Sequence, residues 1–562
     1  MSLQRTISPN RKQGPVSTLM YTRLTRGLTA LPLNFPSLLT KAIPAAKPFA
    51  LSLAIAASLI PAASNARADA NTNTNSNSNT KQLDSKGYDN QSYYDNLLSV
   101  IAPPHSQLSI FAQDLSNNEI LYQHNADTLV LPASTQKLLT AVAAMRVLGE
   151  EFSFATQFST KGRLSHGVLT GDLYLSFSGD PTLTTDDLRA MLKSLKDAGI
   201  HTVKGNLLLV GQAKEQTRAP GWVWDDLGIC YAAPVSSFIV NQNCVKGQLK
   251  PKLASSASQL NFPRYLPIKV STTAVFDKTQ QEPFCELNLA RLPDNHYHIS
   301  GCYPGDKPLN LAIAVDDPAL YAKEMLTRML KSAHIKMSGQ VAIAHRTPIG
   351  LKPLVTHKSE GLEALLRTML LDSDNLIADS LFKAVGAHYY KVAENFHAGA
   401  RAVKAILEAD GIDLSHSQII DGSGLSRYNL ISARQLAEVL GLMAKDEKLR
   451  PLIELLPVAG VSGTLNYKRG FHQAPLMNKV SAKTGSMQGV DNLAGYLSLD
   501  ASHQILFVVM ENGQSQKSKK QSPAPFSALF LQSLLDNQGQ IVKSQGNEDV
   551  DKKNNPKTLS AQ

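Results

Sequence analysis

Two residues near the start of an apolar segment have the types and spacing for amide-bond chemistry. Ser134 and Lys137 are three residues apart in the segment PASTQK. If this segment begins a helix, both side chains lie on one face, and a lysine with a lowered pKa can take the serine proton. The alternative is a serine that caps a helix beside a solvated lysine. The pattern alone does not decide, because Ser-x-x-Lys also occurs within the polar tract at residues 78–81.

Two further polar groups occur later in the chain. Ser373 and Asn375 belong to a Ser-Asp-Asn segment between helix-like stretches, and Lys483 begins a Lys-Thr-Gly-Ser segment near a strand-like stretch. With Ser134 as nucleophile and Lys137 as its base, Ser373 can relay the proton to the leaving nitrogen. Asn375 can hold both Lys137 and the substrate amide. The three groups in this order therefore predict an acyl-transfer site.

The Lys-Thr-Gly-Ser segment supplies groups that bind the substrate. The charge of Lys483 and the hydroxyl of Thr484 suit a carboxylate, and Gly485 lets a ligand approach the backbone closely. The backbone N–H groups of Ser134 and Ser486 would form an oxyanion hole. The predicted substrate is a peptide that ends in a free carboxylate.

The elements that must position these residues predict an α/β (α+β) fold. Residues 131–149 read as a helix that is apolar nearly all round, which belongs in the centre of a domain. A strand hairpin precedes it, and helices dominate again after about residue 354. Between them, residues 191–211 and 325–345 share the order helix, turn, glycine and strand, which indicates an internal repeat. The predicted domains are a split domain (94–155 and 350–536), an inserted α+β domain (156–213 and 306–349) and a nested, mainly β domain (214–305).

The ends of the chain carry an export signal and polar segments. Residues 1–68 contain eight basic residues and no acidic one, so the net charge of +10 falls to +2 without them, which argues against a nucleic-acid partner. A short apolar run and an Ala-Arg-Ala signature predict a signal peptide over 1–68, with an uncleaved anchor as the alternative. Residues 69–93 read as a disordered linker and 537–562 as a disordered tail. No stable membrane span is expected.

Four cysteines occur in the middle of the chain and fit an exported protein. Three pairings are possible, and we favour the two local ones, Cys230–Cys244 and Cys285–Cys302. A zinc site is the alternative, but no Cys-x-x-Cys spacing supports it. We therefore predict two disulfides, no metal and no cofactor.

Several segments together resemble one family. PASTQK, SDN and KTGSM, with SGDPTL, GWVWDDLGICYAAPVSSF, DGSGLSR and AGVSGTL, are similar to class C low-molecular-mass penicillin-binding proteins, the DacB-type D-alanyl-D-alanine carboxypeptidases/endopeptidases. The spacing of 239 positions from Ser134 to Ser373 is also similar to that class. The resemblance implies a serine β-lactamase/transpeptidase-like domain interrupted by an insertion. It also implies that Arg427 and Met487 line the pocket for the side chain of the penultimate donor residue.

The same resemblance implies a substrate, an inhibitor and a compartment. The expected partners are peptidoglycan stem peptides and β-lactams, with cleavage of terminal D-alanine and of D-alanyl–diaminopimelate cross-links in the periplasm. Penicillins are expected to acylate the enzyme and to be released slowly. The sequence leaves the oligomeric state open, a homo-oligomer included.

Two other functions stay open at this point. A β-lactamase-like serine hydrolase would need a base for fast deacylation, and no motif supplies a candidate. A catalytically idle cell-wall-binding scaffold would not need to keep the intact set of polar groups. An α/β-hydrolase and a zinc peptidase are disfavoured, because neither Gly-x-Ser-x-Gly nor His-Glu-x-x-His occurs.

Overall fold

The computed structural model describes residues 90–539, apart from residues 213–214, 253–254, 278, 282, 516–518, 521 and 523. The predicted signal peptide, most of the predicted linker and most of the predicted tail lie outside the described residues. At both ends, regular structure extends into the segments that we expected to be disordered. A helix begins at Asn90, within the predicted linker, and residues 526–539, the C-terminal helix, run into the predicted tail.

The bounds of the elements are as follows. The α-helices are α1 (Asn90–Ile101), α2 (Lys137–Val147), α3 (Thr185–Asp197), α4 (Pro318–Ser332), α5 (Leu362–Leu371), α6 (Asn375–Tyr390), α7 (Phe396–Ala409), α8 (Ala433–Lys445) and α9 (Pro451–Glu454). The first strands are β1 (Gln107–Asp114), β2 (Ile120–His124), β3 (Ala155–Thr160), β4 (Arg163–Ser165), β5 (Val168–Thr170), β6 (Leu173–Ser176), β7 (Thr202–Lys204) and β8 (Leu207–Val210). The later strands are β9 (Cys244–Pro251), β10 (Ser258–Asn261), β11 (Lys269–Thr272), β12 (Val275–Asp277), β13 (Leu287–Leu292), β14 (His296–Pro304), β15 (Leu309–Ala314), β16 (Lys336–Met337), β17 (Val341–Ala344), β18 (Lys352–Lys358), β19 (Val480–Met487), β20 (Val490–Ser498) and β21 (Gln504–Asn512).

One antiparallel sheet joins the two ends of the described chain. Its order is β19-β20-β21-β1-β2, so the predicted hairpin of β1 and β2 pairs directly with the last strand, β21. Alternate side chains of β21 face opposite sides, as the period of a strand requires. Leu506 and Val508 belong to the core formed with α2, α5, α6, α7 and α8, whereas Phe507 and Val509 pack with α1 and the C-terminal helix. Helices therefore cover both faces of the sheet.

The inserted part forms two sheets with a repeated unit. The five-stranded sheet has the order β17-β8-β6-β3-β18, and the smaller one has the order β16-β7-β5-β4. Strands β16 and β17 of the second unit pair in parallel with β7 and β8 of the first, so both copies of the repeat contribute neighbouring strands to the two sheets. Because β18 pairs with β3, this sheet extends to Lys358, beyond the boundary that we placed at residue 349.

The nested part is also bounded differently from the prediction. Its two sheets are β10-β9-β15 and β11-β14-β12, with β13 beside β14. Since β15 pairs with β9, the nested part continues past the predicted end at residue 305. At its start, Glu215 pairs with Lys383 of α6 at 3.0 Å, and Val235 and Ile239 belong to the core around α2. Several residues within 215–240 therefore pack against the split domain, although we assigned this range to the nested one.

Two disulfides hold the middle of the chain. Cys230 is bonded to Cys244, and Cys285 is bonded to Cys302, which are the two local pairs that we favoured. Within the part of the chain that the structure describes, no helix has both the length and the apolar character needed to cross a membrane.

The first disulfide yields a testable prediction. Both tryptophans of the chain, Trp222 and Trp224, lie in the segment that this bond ties to β9. Replacing Cys230 and Cys244 by serine should lower the stability of this segment by about 3 kcal/mol, because a loop constraint is lost. Urea unfolding followed by tryptophan fluorescence measures this change as a lower midpoint.

The second disulfide is the matched control, because its cysteines are 17 residues apart, against 14 for the first. Replacing Cys285 and Cys302 by serine should leave the tryptophan transition nearly unchanged, since that bond lies within the nested sheets. Equal shifts for the two double variants would contradict the prediction.

Candidate active site

Ser134 lies in a short helical turn that leads directly into the central helix. The 3-10 helix Ala133–Gln136 is followed without a break by α2, whose first residue is Lys137. Ser134 therefore precedes the α-helix, whereas we expected it within the first turn. Ala133 has a φ of +47°, a left-handed conformation that is unfavourable for a residue with a side chain. Such strain is stored where the surrounding packing holds the backbone, as it does here beside the candidate nucleophile.

Lys137 is fully buried and uses all three ammonium protons. Its Nζ donates to Ser134 Oγ at 2.9 Å, to Asn375 Oδ1 at 2.7 Å and to the Ser423 carbonyl at 2.8 Å. Burial lowers the pKa of Lys137 to about 8, although the carboxylates of Asp379 and others nearby act in the opposite direction. An amine with this pKa can be neutral near physiological pH, so Lys137 can accept the proton of Ser134.

The Ser-Asp-Asn segment forms the junction between α5 and α6. Ser373 has a φ of +59°, and Asp374 caps α6 by accepting a hydrogen bond from the Ile377 N–H at 2.8 Å. Asn375, the first residue of α6, accepts from Lys137 and donates to the Tyr231 carbonyl at 2.9 Å. The capping turn therefore directs Ser373 and Asn375 to the site, between helices as the sequence predicts.

Lys483 forms a second lysine–serine pair. It lies within β19, and its buried Nζ donates to Ser373 Oγ at 2.9 Å and to the Thr484 carbonyl at 3.0 Å. Burial lowers the pKa of Lys483 well below its ordinary value, and the charge of Lys137 lowers it further. The Thr484 hydroxyl is 2.7 Å from that of Thr464, and Ser486 is exposed. The two lysine–serine pairs are therefore joined by the Ser-Asp-Asn segment, which contacts both lysines.

Gly485 allows the strand and the helical turn to approach each other. A Cβ at this position would lie 2.7 Å from the Pro132 carbonyl oxygen and 3.1 Å from the Thr135 nitrogen. We expected this glycine to make room for a ligand. In the structure it makes room for the turn that carries Ser134, because β19 packs directly on that turn.

From the sequence we assigned Arg427 to the site, but we missed Asp379 and residues 421–424, which enclose Lys137. Asp379 Oδ1 accepts hydrogen bonds from the N–H groups of Gly422 and Ser423, at 2.7 and 3.0 Å, and so positions the carbonyl that accepts from Lys137. Gly424 has a φ of +81°, and a Cβ there would lie 1.8 Å from the Ala133 carbonyl oxygen. The signal in the sequence was the Asp-Gly-Ser-Gly run, which is typical of a tight turn.

Asp421 stabilises the same loop by accepting hydrogen bonds. Its buried carboxylate accepts from the Gly424 and Ser426 N–H groups, at 2.9 and 2.7 Å, and from Asn429 Nδ2 and Trp222 Nε1, both at 2.8 Å. These bonds fix the conformation of the loop and connect it to the segment of Trp222, which follows β8. Nothing local in the sequence marks Asp421 as the residue that joins these two parts.

Arg427 and Met487 lie at the same end of β19. The Arg427 side chain donates to the carbonyl of Gln488, the residue after Met487, at 2.9 Å, and its backbone N–H donates to the Gly221 carbonyl at 3.0 Å. The structure therefore brings the loop of Arg427 to the strand end that carries Met487.

Comparison with known proteins finds relatives that match most of the chain. A D-alanyl-D-alanine carboxypeptidase DacB of Haemophilus influenzae is 37% identical over 416 residues, which cover 74% of this chain and 87% of that protein. A D-alanyl-D-alanine carboxypeptidase of Actinomadura sp. (strain R39) is 29% identical over 441 residues, 74% of this chain and 78% of that protein. The crystal structure of penicillin binding protein 4 (dacB) from Haemophilus influenzae matches with a TM-score of 0.74 at 35% identity, and covers 79% of this chain and 99% of that chain.

These similarities define the class as a serine-type D-Ala-D-Ala carboxypeptidase among the penicillin-binding proteins. Residues 94–532 match the D-Ala-D-Ala carboxypeptidase 3 (S13) family, and the chain belongs to this family. The resemblance stated from the sequence and the predicted α/β (α+β) fold are both confirmed.

The surroundings of Lys137 predict how its pKa responds to a change of charge. Replacing Asp379 by asparagine removes a carboxylate that raises the pKa of Lys137, so we expect the Lys137 titration midpoint to fall below that of the unaltered protein. NMR titration of lysine labelled with 13C at Cε measures this midpoint. Asp500→Asn, at an exposed turn, is the control and should change nothing; a rise after Asp379→Asn would contradict the prediction.

The close contact at Gly485 predicts that adding a single methyl group there destabilises the protein. Gly485→Ala should push β19 away from the turn of Ser134, destabilise the fold by about 1–3 kcal/mol and slow labelling by a fluorescent penicillin. Calorimetry and labelling rates measure the two effects. Gly441→Ala in α8, where the nearest atom is 3.9 Å away, should cost nothing; equal behaviour of the two variants would refute the argument.

Proposed function

We propose that this protein releases the terminal D-alanine of peptidoglycan stem peptides and also cleaves D-alanyl–diaminopimelate cross-links. Both reactions proceed through an acyl-enzyme on Ser134. The observation that carries the proposal is the 2.9 Å hydrogen bond between Ser134 Oγ and the buried Nζ of Lys137, whose pKa is lowered by burial.

In the acylation step, neutral Lys137 takes the proton of Ser134 while Oγ attacks the carbonyl carbon of the penultimate residue. The new ammonium is stabilised because Asn375 Oδ1 and the Ser423 carbonyl already lie at 2.7 and 2.8 Å. The developing oxyanion is bound by the backbone N–H groups of Ser134 and Ser486. Each charge that forms in this step therefore has a partner in place.

The leaving nitrogen needs a proton, and the second pair supplies it. Ser373 donates its hydroxyl proton to the nitrogen as the amide bond breaks, and it is reprotonated from Lys483, 2.9 Å away. When water hydrolyses the ester, Lys137 returns its proton to Ser134 Oγ, and the proton that the attacking water loses passes through Ser373 to Lys483, which restores both lysines. D-alanine and the shortened peptide are the products.

Substrate recognition uses the same strand. A terminal carboxylate favours the charged form of Lys483, whose pKa is otherwise lowered by burial, and the Thr484 hydroxyl adds a hydrogen bond. Arg427 and Met487, at the end of β19, bind the side chain of the penultimate donor residue. This pocket would accept a diamino-acid side chain and so allow the endopeptidase reaction.

Penicillins are proposed to acylate Ser134 and to be released slowly. The crystal structure of the Haemophilus influenzae protein with a novel β-lactam, which matches this chain at 34% identity with a TM-score of 0.71, supports this proposal. Rapid release, as in a β-lactamase, needs a carboxylate that can activate water. Asp379 and Asp421, the carboxylates that hold the loop over Lys137, are both fully buried and therefore unsuited to that role.

We also propose that the protein acts in the periplasm. The two disulfides form stably in an oxidising compartment, and peptidoglycan is the substrate that such a location offers. The predicted signal peptide over residues 1–68 would direct the chain there.

The decisive experiment combines Ser134→Ala with a complex substrate. Purified protein is incubated with cross-linked muropeptides, and the products are identified by mass spectrometry, alongside labelling by a fluorescent penicillin. The variant should lose D-alanine release, cross-link cleavage and labelling together, because all three require the same hydroxyl. Ser165→Ala, at an exposed position of β4, is the matched control and should retain all three.

The outcomes separate the alternatives. If Ser134→Ala keeps either hydrolysis or labelling, Ser134 is not the nucleophile. If the unaltered protein turns over penicillin rapidly, it is a β-lactamase, and if it binds muropeptides without product, it is a scaffold.

A further inference from the structure

A concavity lies where three parallel strands of the insertion end. β6, β8 and β17 run parallel, so Ser176, Val210 and Ala344 end at the same edge of the sheet. The segments that follow these strands, together with residues 392–394 between α6 and α7, enclose a space of about 400 Å³, which we call the junction groove. The carboxyl edge of parallel strands is where open α/β sheets bind ligands.

The junction groove is built from both parts of the molecule. In the amide orientation that satisfies both groups, the side chain of Gln212 pairs with the backbone N–H and carbonyl of Glu394, each at 3.0 Å. The Gln212 N–H donates to Ser237 Oγ at 3.1 Å, and the Gly179 N–H donates to the Ser237 carbonyl at 3.0 Å. These bonds fix the walls, so the groove is a formed feature of the fold.

One carboxylate of the groove lacks a balancing charge. Lys383, the nearby ammonium, already pairs with Glu215 at 3.0 Å and donates to the Val235 carbonyl at 2.8 Å. The carboxylate of Glu394 is affected by the charges of both Lys383 and Glu215 and forms no ion pair within the described residues. Burial raises the pKa of Glu394 to about 7; the charge of Lys383 opposes this rise and that of Glu215 adds to it. A cationic ligand would supply the missing charge.

A hydroxyl of the same groove is also unsatisfied. Ser178 Oγ is buried and has no hydrogen-bond partner within the described residues. A buried polar atom without a partner is costly, so a ligand that supplies one is favoured. The groove thus has the carboxylate of Glu394 in its lining and, buried in its wall, a hydroxyl without a hydrogen-bond partner.

We propose that the junction groove binds a small organic molecule with a primary ammonium group, which pairs with Glu394 and hydrogen-bonds to Ser178. A divalent metal is a poorer fit, because it needs several oxygen ligands, and the described residues contain no group of three His, Cys, Asp or Glu that could hold an ion. The groove shares no residue with the site around Ser134, so this inference goes beyond the proposed function.

Two kinds of cell-wall amine have this chemistry, a diamino acid and an amino sugar without its acetyl group. Isothermal titration of the full chain with meso-diaminopimelate and with glucosamine distinguishes them, and N-acetylglucosamine is the uncharged comparison. We expect one or both amines to bind with one-to-one stoichiometry, and N-acetylglucosamine to bind much more weakly. Glu394→Gln should weaken binding about tenfold or more, because a charge-assisted hydrogen bond is lost.

Two further variants keep the test decisive. Ser178→Ala removes a hydroxyl that bonds to nothing in the described protein, so it should weaken binding without lowering stability. Glu360→Gln, at an exposed position, is the matched control and should bind normally. Penicillin labelling of Ser134 should be unchanged in all three, which separates failure of this inference from failure of the proposed function.

Three results would overturn the inference. The first is that neither amine binds, and the second is that N-acetylglucosamine binds as well as glucosamine. The third is that all of the amine binding persists in Glu394→Gln and Ser178→Ala, since that binding would then belong to another site.

Discussion

The structure depends on removing the Lys137 ammonium group from water. A buried cation is costly unless each of its protons has an acceptor, and here the acceptors come from three separate elements. Ser134 comes from the turn before α2, Asn375 from the start of α6, and Ser423 from the loop that Asp379 holds. The close packing of these elements follows from that requirement, and the same burial lowers the pKa of the amine. Positioning and reactivity therefore have one cause.

Residues of the insertion also contact the candidate active site. After β8, several residues within 215–240 contact the split domain. There the Tyr231 carbonyl accepts from Asn375, and Trp222 donates to Asp421, which holds the loop over Lys137. The bond between Cys230 and Cys244 ties this segment to β9. A contact network of this kind makes the position of Asn375 depend on the inserted residues.

Features that depend on short segments could be predicted from the sequence, whereas features that depend on contacts between distant segments could not. The hairpin of β1 and β2, the central helix, the repeated unit and the local disulfides followed from patterns within short segments. Strand pairing extends past the expected boundaries at residues 305 and 349, because β15 joins β9 and β18 joins β3. Near residue 214 the difference lies in packing, because Glu215 and Val235 contact the split domain. The structure also gives Gly485 a role that no sequence pattern indicated, since the turn of Ser134 approaches it closely.

The sequence by itself determined which chemistry is available: two serines, two lysines and an asparagine in the order of a known family, on elements whose apolar patterns require burial. Only the tertiary structure decided which groups meet. Lys137 and the carbonyl of Ser423 are 286 residues apart in the chain, and Asp379 and Asp421 carry no local mark of their role. Hydrogen bonds and pKa values depend on distance and dielectric environment in space, and neither quantity exists until strands and loops from distant segments have packed together.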